Sequence, residues 1–106
     1  MWLSCPYLQG DVELTDERTT HITRTHGELL PDYLHRLEEA VADPDQVLVD
    51  PEYEHTRLFV RWYNDLMGGK NVVVAIVSTP SPPRNWVVTA FLTSRNVKGT
   101  VEWRRS

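Results

Sequence analysis

The feature that most constrains this chain is a change of hydrophobic period at Asp43-Pro44. Before it, Leu30, Leu34, Leu37 and Val41 recur at i, i+4, i+7 and i+11, one stripe of an amphipathic helix. Pro31 suits the first turn of such a helix, and Asp43-Pro44 ends it. From Gln46 onward the apolar residues alternate or form short β-branched runs. Val47 to Val49 reads as a short strand. Leu58, Val60 and Trp62 alternate with Arg57, Phe59, Arg61 and Tyr63, giving a strand with two unlike faces. Val72 to Val77 reads as a central strand, Trp86 to Thr93 as the next and Thr100 to Trp103 as an edge strand. Gly68-Gly69-Lys70-Asn71 and Lys98-Gly99 read as turns, and Ser78 to Asn85 as a rigid polar loop. The connections are too short for crossover helices, so an antiparallel meander is expected.

Upstream of the stripe, residues 1–10 have no period and read as an N-terminal arm ending at Gly10, before a single domain over 11–106. Val12 and Leu14 alternate with Asp11 and Glu13, a short strand or extended lead-in. Thr15 or Asp16 can then cap a helix that runs to about Thr25 and stops at Gly27. Four threonines, Thr19, Thr20, Thr23 and Thr25, make this a poor helix former, one that tertiary contacts must hold. The expected architecture is α+β, with two N-terminal helices packed on one face of a four- to five-stranded antiparallel sheet. The opposite face, with Arg61, Tyr63, Thr89 and Thr93 as candidates, would be partly open.

A length of 106 residues suits one two-layer core. The single cysteine, Cys5, excludes an internal disulfide and lacks partners at zinc-ligand spacing. The chain start has neither a basic n-region nor an apolar h-region, and the longest apolar run falls far short of the ~20 residues of a membrane helix. A soluble, cytoplasmic protein without membrane contacts is expected. Net charge is unevenly distributed. Residues 1–56 hold 13 acids against 3 bases, while residues 57–106 hold 2 acids against 8 bases. One face suited to a polyanion is one outcome of this asymmetry, and mutual neutralisation within the fold is the other.

The chemistry-bearing stretch is Leu14 to Glu28, which concentrates His21, Arg24 and His26 just ahead of the amphipathic stripe. His21 and Arg24, three apart, share a helical face. His26, five residues after His21, lies ~140° away on an ideal helix of ~3.6 residues per turn, so convergence needs the helix to end near Thr25. Imidazoles in opposite protonation states beside a guanidinium would suit acid–base catalysis at phosphorus. Two surface or structural histidines would satisfy the same spacing. His35 and His55 stand alone and read as structural. His-x4-His misses the geometry for two ligands on one helix face, so neither a metal nor another cofactor is expected. Arg61 fits a phosphate anchor or an ion pair with the acidic helices. Thr89 and Thr93 fit phosphate-binding hydroxyls or ordinary strand residues. The interleaved Phe59, Arg61, Trp62 and Tyr63 would suit single-stranded RNA.

These motifs together resemble the phage and bacterial branch of the barnase–EndoU–colicin–RelE (BECR) nucleases. The residues carrying the likeness are Leu14-Thr-Asp-Glu-Arg18, His21-Ile22, Arg24, His26-Gly-Glu-Leu29, Pro44-Asp45 with Val47, and Val87-Val-Thr89-Ala90-Phe91. The resemblance implies a toxin-like or phage-derived endoribonuclease that cleaves RNA without metal, by 2′-OH attack on the adjacent phosphodiester. It implies His21 and His26 as acid and base, Arg24 as a phosphate contact and Thr89 as a hydroxyl near the scissile group. RNA would be the substrate, and an inhibitor or antitoxin protein the partner. Here Thr25 separates Arg24 from His26, where the family pattern often joins the two. A non-catalytic RNA- or protein-binding module is the alternative, and oligomerisation through an exposed edge strand a third possibility.

Overall fold

A computed structural model describes residues 1–106. The elements are β1 (Trp2–Cys5), a 3-10 turn (Pro6–Leu8), β2 (Gly10–Glu13), α1 (Asp16–Thr25), α2 (Leu34–Ala42), β3 (Gln46–Val49), β4 (Thr56–Tyr63), β5 (Lys70–Pro80), β6 (Pro83–Thr93) and β7 (Thr100–Arg104). All seven strands join one sheet in the order β1-β2-β6-β5-β4-β3-β7.

This corrects the expected architecture of two leading helices on a four- to five-stranded antiparallel sheet. The helices are inserted between β2 and β3, and the sheet is mixed, because β2 runs parallel to β6 at Glu13 and Trp86. Residues 1–10, read as an arm, supply β1 and the 3-10 turn. The reason is burial of alternate residues: Leu3, Cys5, Val12 and Leu14 point into the core, while Gln9 in a left-handed conformation reverses the chain. Four-residue strands hold only two inward positions each, too few to register as a period. The Ser78–Asn85 loop is likewise the tip of a long hairpin, with Thr79 opposite Arg84 and the Ser78 hydroxyl 2.7 Å from Asn85 Oδ1. The β3–β4–β5–β6 meander itself is antiparallel throughout.

The larger core lies between the helices and one sheet face. Ile22, Leu29, Leu30, Leu37, Ala40 and Val41 pack against Val47, Phe59, Val72, Val74, Ile76, Val87 and Ala90. Leu30 belongs to this core, but α2 begins only at Leu34, since Gly27 to Tyr33 form successive turns. The second face carries a smaller cluster, Leu48, Leu58, Val60, Val73 and Ala75, packed against Phe91 and against Val97 from the Ser94–Gly99 connection. That connection takes the chain from β6 to β7 at the far edge of the sheet and forms a strap over this face.

Which face takes the helices is the reverse of the expected one. Phe59, Arg61 and Tyr63 face the helices, whereas Leu58, Val60 and Trp62 face away. Strand β4 is apolar on both faces, so its alternation could not decide between them. The sheet also curls until its ends meet. Tyr7, just beyond β1, packs edge-on to Phe59 with ring centres 5.8 Å apart and lies 5.9 Å from the Trp103 ring on β7.

Candidate functional site

Helix α1 starts as its sequence requires. The Thr15 hydroxyl accepts from the Arg18 N–H at 3.1 Å, and Asp16 and Glu17 sit in the first turn, at the positive end of the helix dipole. Ile22 is its only buried side chain, so a single apolar anchor fixes the helix against the core. The helix packs on β6, and the Arg18 guanidinium reaches the Val88 carbonyl at 3.4 Å.

His21 and Arg24 are both exposed and share a shallow depression on the outer side of α1, lined by helix residues alone. His26 turns the other way. As the C-cap residue its N–H closes on the Ile22 carbonyl at 2.7 Å, and its half-buried ring lies 5.9 Å from the Phe91 ring on β6. Its Nδ1 is 3.4 Å from Glu28 Oε1, an ion-pair approach without hydrogen-bond geometry. The half-buried imidazole thus has an aromatic ring and a carboxylate as neighbours, with Nε2 unpartnered.

Thr89 and Thr93 sit on the same sheet face as Phe91, because Thr89 pairs with Ala75, Phe91 with Val73 and Thr93 with Asn71 along β5. The structure therefore brings His21 to Arg24, and His26 to Phe91 and Glu28. It does not bring the two histidines into one pocket, and Thr89 lines neither group.

Arg61 and Tyr63, expected on an open face, are tied to α2 and the residues after it. The Tyr63 ring is buried, and its hydroxyl donates to Glu39. Burial, reinforced by that carboxylate, pushes the phenol well above its usual range. Arg61 donates to the Asp43 carboxylate at 2.8 Å and approaches Glu39 at 3.7 Å. Burial would lower its pKa, but these acids outweigh it and hold it raised. Asp43 in turn is held below the ordinary carboxylate range by Arg105 and then Arg61. The ion-pair reading of Arg61 is the one the geometry matches.

Two features escaped the sequence. Glu28 follows the helix in a turn, where helical spacing says nothing about its neighbours. The other is a groove of about 410 Å³ on the second sheet face, between the Asp50–Tyr53 turn and the strap, with Leu58, Phe91 and Thr93 along its floor. Arg95 and Lys98 line its strap side. A third polar cleft, of about 360 Å³, gathers His55, Arg57, Ser78 and Glu102 at the end of β4 and β5. There the Arg57 Nε donates to Glu102 at 2.8 Å and Tyr7 donates to the same carboxylate oxygen, so its charges serve to close the sheet. No three His, Cys, Asp or Glu side chains converge as a metal-holding cluster. No helix is long and apolar enough to cross a membrane.

Comparison with protein-family models, with curated proteins and with solved structures found no match.

Proposed function

We propose that the protein is a small metal-independent endoribonuclease working at the rim between the C-terminal end of α1 and β6. The observation that carries this reading is the His26 imidazole, seated on Phe91 with Glu28 at Nδ1. A carboxylate on one ring nitrogen fixes the orientation of an imidazole and leaves the other nitrogen for proton transfer.

RNA cleavage of this kind needs three things. A base takes the proton from the 2′-OH as that oxygen attacks the adjacent phosphorus. An acid protonates the departing 5′-oxygen, and a cation meets the charge on the phosphoryl oxygens. The products are a 2′,3′-cyclic phosphate and a free 5′-OH. In this reading His26 Nε2 hands its proton to the 5′-oxygen, with Glu28 as the positioning residue. His21 and Arg24 stand on the outer face of α1, outside this rim, so in this reading the 2′-OH proton passes to water. Thr89 offers a hydroxyl on the Phe91 side. Arg61 and Tyr63 drop out as RNA contacts, since both are engaged within the fold.

The test is cleavage of single-stranded RNA in EDTA. His26→Ala should lower the rate by about 10²-fold or more, with Glu28→Gln intermediate. Unchanged cleavage by His26→Ala would remove His26 from the mechanism. The rival reading, RNA binding without cleavage, is favoured by one observation: no sheet residue joins His21 and Arg24 in their depression. Salt-dependent RNA binding by a wild-type protein that leaves the RNA intact would select it.

A further inference from the structure

We infer that the groove on the second sheet face is the path of single-stranded RNA, seating one unstacked base beside Phe91 with Arg95 and Lys98 against the flanking phosphates. This rests on RNA being the ligand and names the form in which it binds.

The first argument is how the cations are distributed. Arg18, Arg36, Arg57, Arg61, Arg84 and Arg105 are all held in ion pairs with carboxylates. Arg95 and Lys98 make no ion pair, and both stand on the strap that borders this groove. Their charge is free for an outside anion. Three other cations lack an ion pair and lie elsewhere: Arg24 on α1, Lys70 at the start of β5, and Arg104 at the end of β7, where it donates to the Gln46 side chain at 3.2 Å.

The second argument is the kind of surface between those charges. The floor is apolar at Leu58 and Phe91, and the opposite wall ends in Tyr53, whose side chain is largely exposed. Asp50 holds that wall in shape, its Oδ1 accepting from the Glu52 and Tyr53 N–H groups at 2.8 and 3.0 Å. Glu52 remains as a carboxylate on the groove and can accept from the N–H donors of a base edge. An exposed Tyr53 ring and a half-buried Phe91 ring flanked by free cations fit a base that has left the stack, and a duplex would keep its bases out of such a slot.

The third argument is continuity. Phe91 lines the groove and also carries the His26 ring, so a base on Phe91 brings its phosphate to the rim where His26 stands. Groove and rim are therefore two parts of one track.

The experiment is fluorescence anisotropy with a labelled single-stranded oligoribonucleotide over a salt series, beside the same sequence as a duplex. Arg95→Gln with Lys98→Gln should weaken single-strand binding about tenfold and flatten the slope of log affinity against log salt by about 1.4, at ~0.7 per phosphate contact. Tyr53→Ala should cost roughly tenfold. All three positions are exposed, so the fold tolerates them. Wild-type affinity and slope in the double variant would overturn the groove even if RNA is still cleaved. So would equal affinity for duplex. A protein that neither binds nor cleaves RNA would overturn this inference together with the proposed function.

Discussion

The contact that joins the two ends of the sheet can be tested by its energy. The Tyr7 hydroxyl, just past β1, donates to Glu102 Oε2 on β7, which also accepts from Arg57 at 2.8 Å. A hydrogen bond to a charged group contributes about 1.5–3 kcal/mol. The Glu102 side chain is 30% exposed and keeps Arg57 as a partner, so water and Arg57 replace part of what Tyr7 gives. A coupling of about 1 kcal/mol is expected, or ~4–8 °C in Tm for a domain of this size. The assay is urea unfolding followed by tryptophan fluorescence for wild type, Tyr7→Phe, Glu102→Gln and the double variant; the cycle isolates the pair. The pH dependence has a defined sign. Burial would raise the Glu102 pKa, but the Tyr7 hydrogen bond and Arg57 outweigh it and hold it below the ordinary carboxylate range. Its contribution is therefore complete above the ordinary carboxylate range and lost as pH falls through the lowered value. Burial and Glu102 push Tyr7 up to about 12, so it remains a donor throughout. Coupling below ~0.3 kcal/mol near neutral pH, within the scatter of independent sites, would mean that the rings of Phe59 and Trp103 close the sheet without this bond.

Two further substitutions test how the site is held. Thr15→Ala removes the cap of α1 and should cost about 1 kcal/mol in unfolding free energy; because the helix has one buried anchor, amide exchange should rise through His21 and Arg24 more than in α2. Gly99→Ala places a Cβ about 2.7 Å from the Val49 carbonyl oxygen at a φ of +149°. It should destabilise by roughly 1–3 kcal/mol and weaken RNA binding by displacing the strap, whereas Gly10→Ala, in open space, should do neither.

Several elements were legible in the sequence because their periods were long enough. The stripe ending at Val41, the Asp43-Pro44 stop and the runs that became β3 to β7 all carry their own signal. Thr15 and the acidic first turn marked the start of α1. What stayed hidden was decided by partners distant in sequence. β1 is a strand because Leu3 and Cys5 complete a core otherwise built from later residues, whereas the alternation of Val12 and Leu14 already marked a short strand or extended lead-in. The apolar faces of β4 could not be ranked, and Arg61 and Tyr63 were placed on the wrong side as a result. The Tyr63–Glu39 contact was invisible without that choice. In the site, the ~140° between His21 and His26 gives the expectation that a helix ending near Thr25 lets His26 turn back toward His21; the helix does end there, but His26 goes to Phe91 and not to His21.

The central claim is that His26, oriented by Glu28, transfers a proton in RNA cleavage without a metal. Its most direct measurement is the end-group chemistry of RNA incubated with the purified protein in EDTA, beside His26→Ala. The account predicts 2′,3′-cyclic phosphate and 5′-hydroxyl ends from the wild type, and a loss of at least about 10²-fold in the variant. Cleavage leaving 5′-phosphate ends, or intact RNA in both samples, would contradict it.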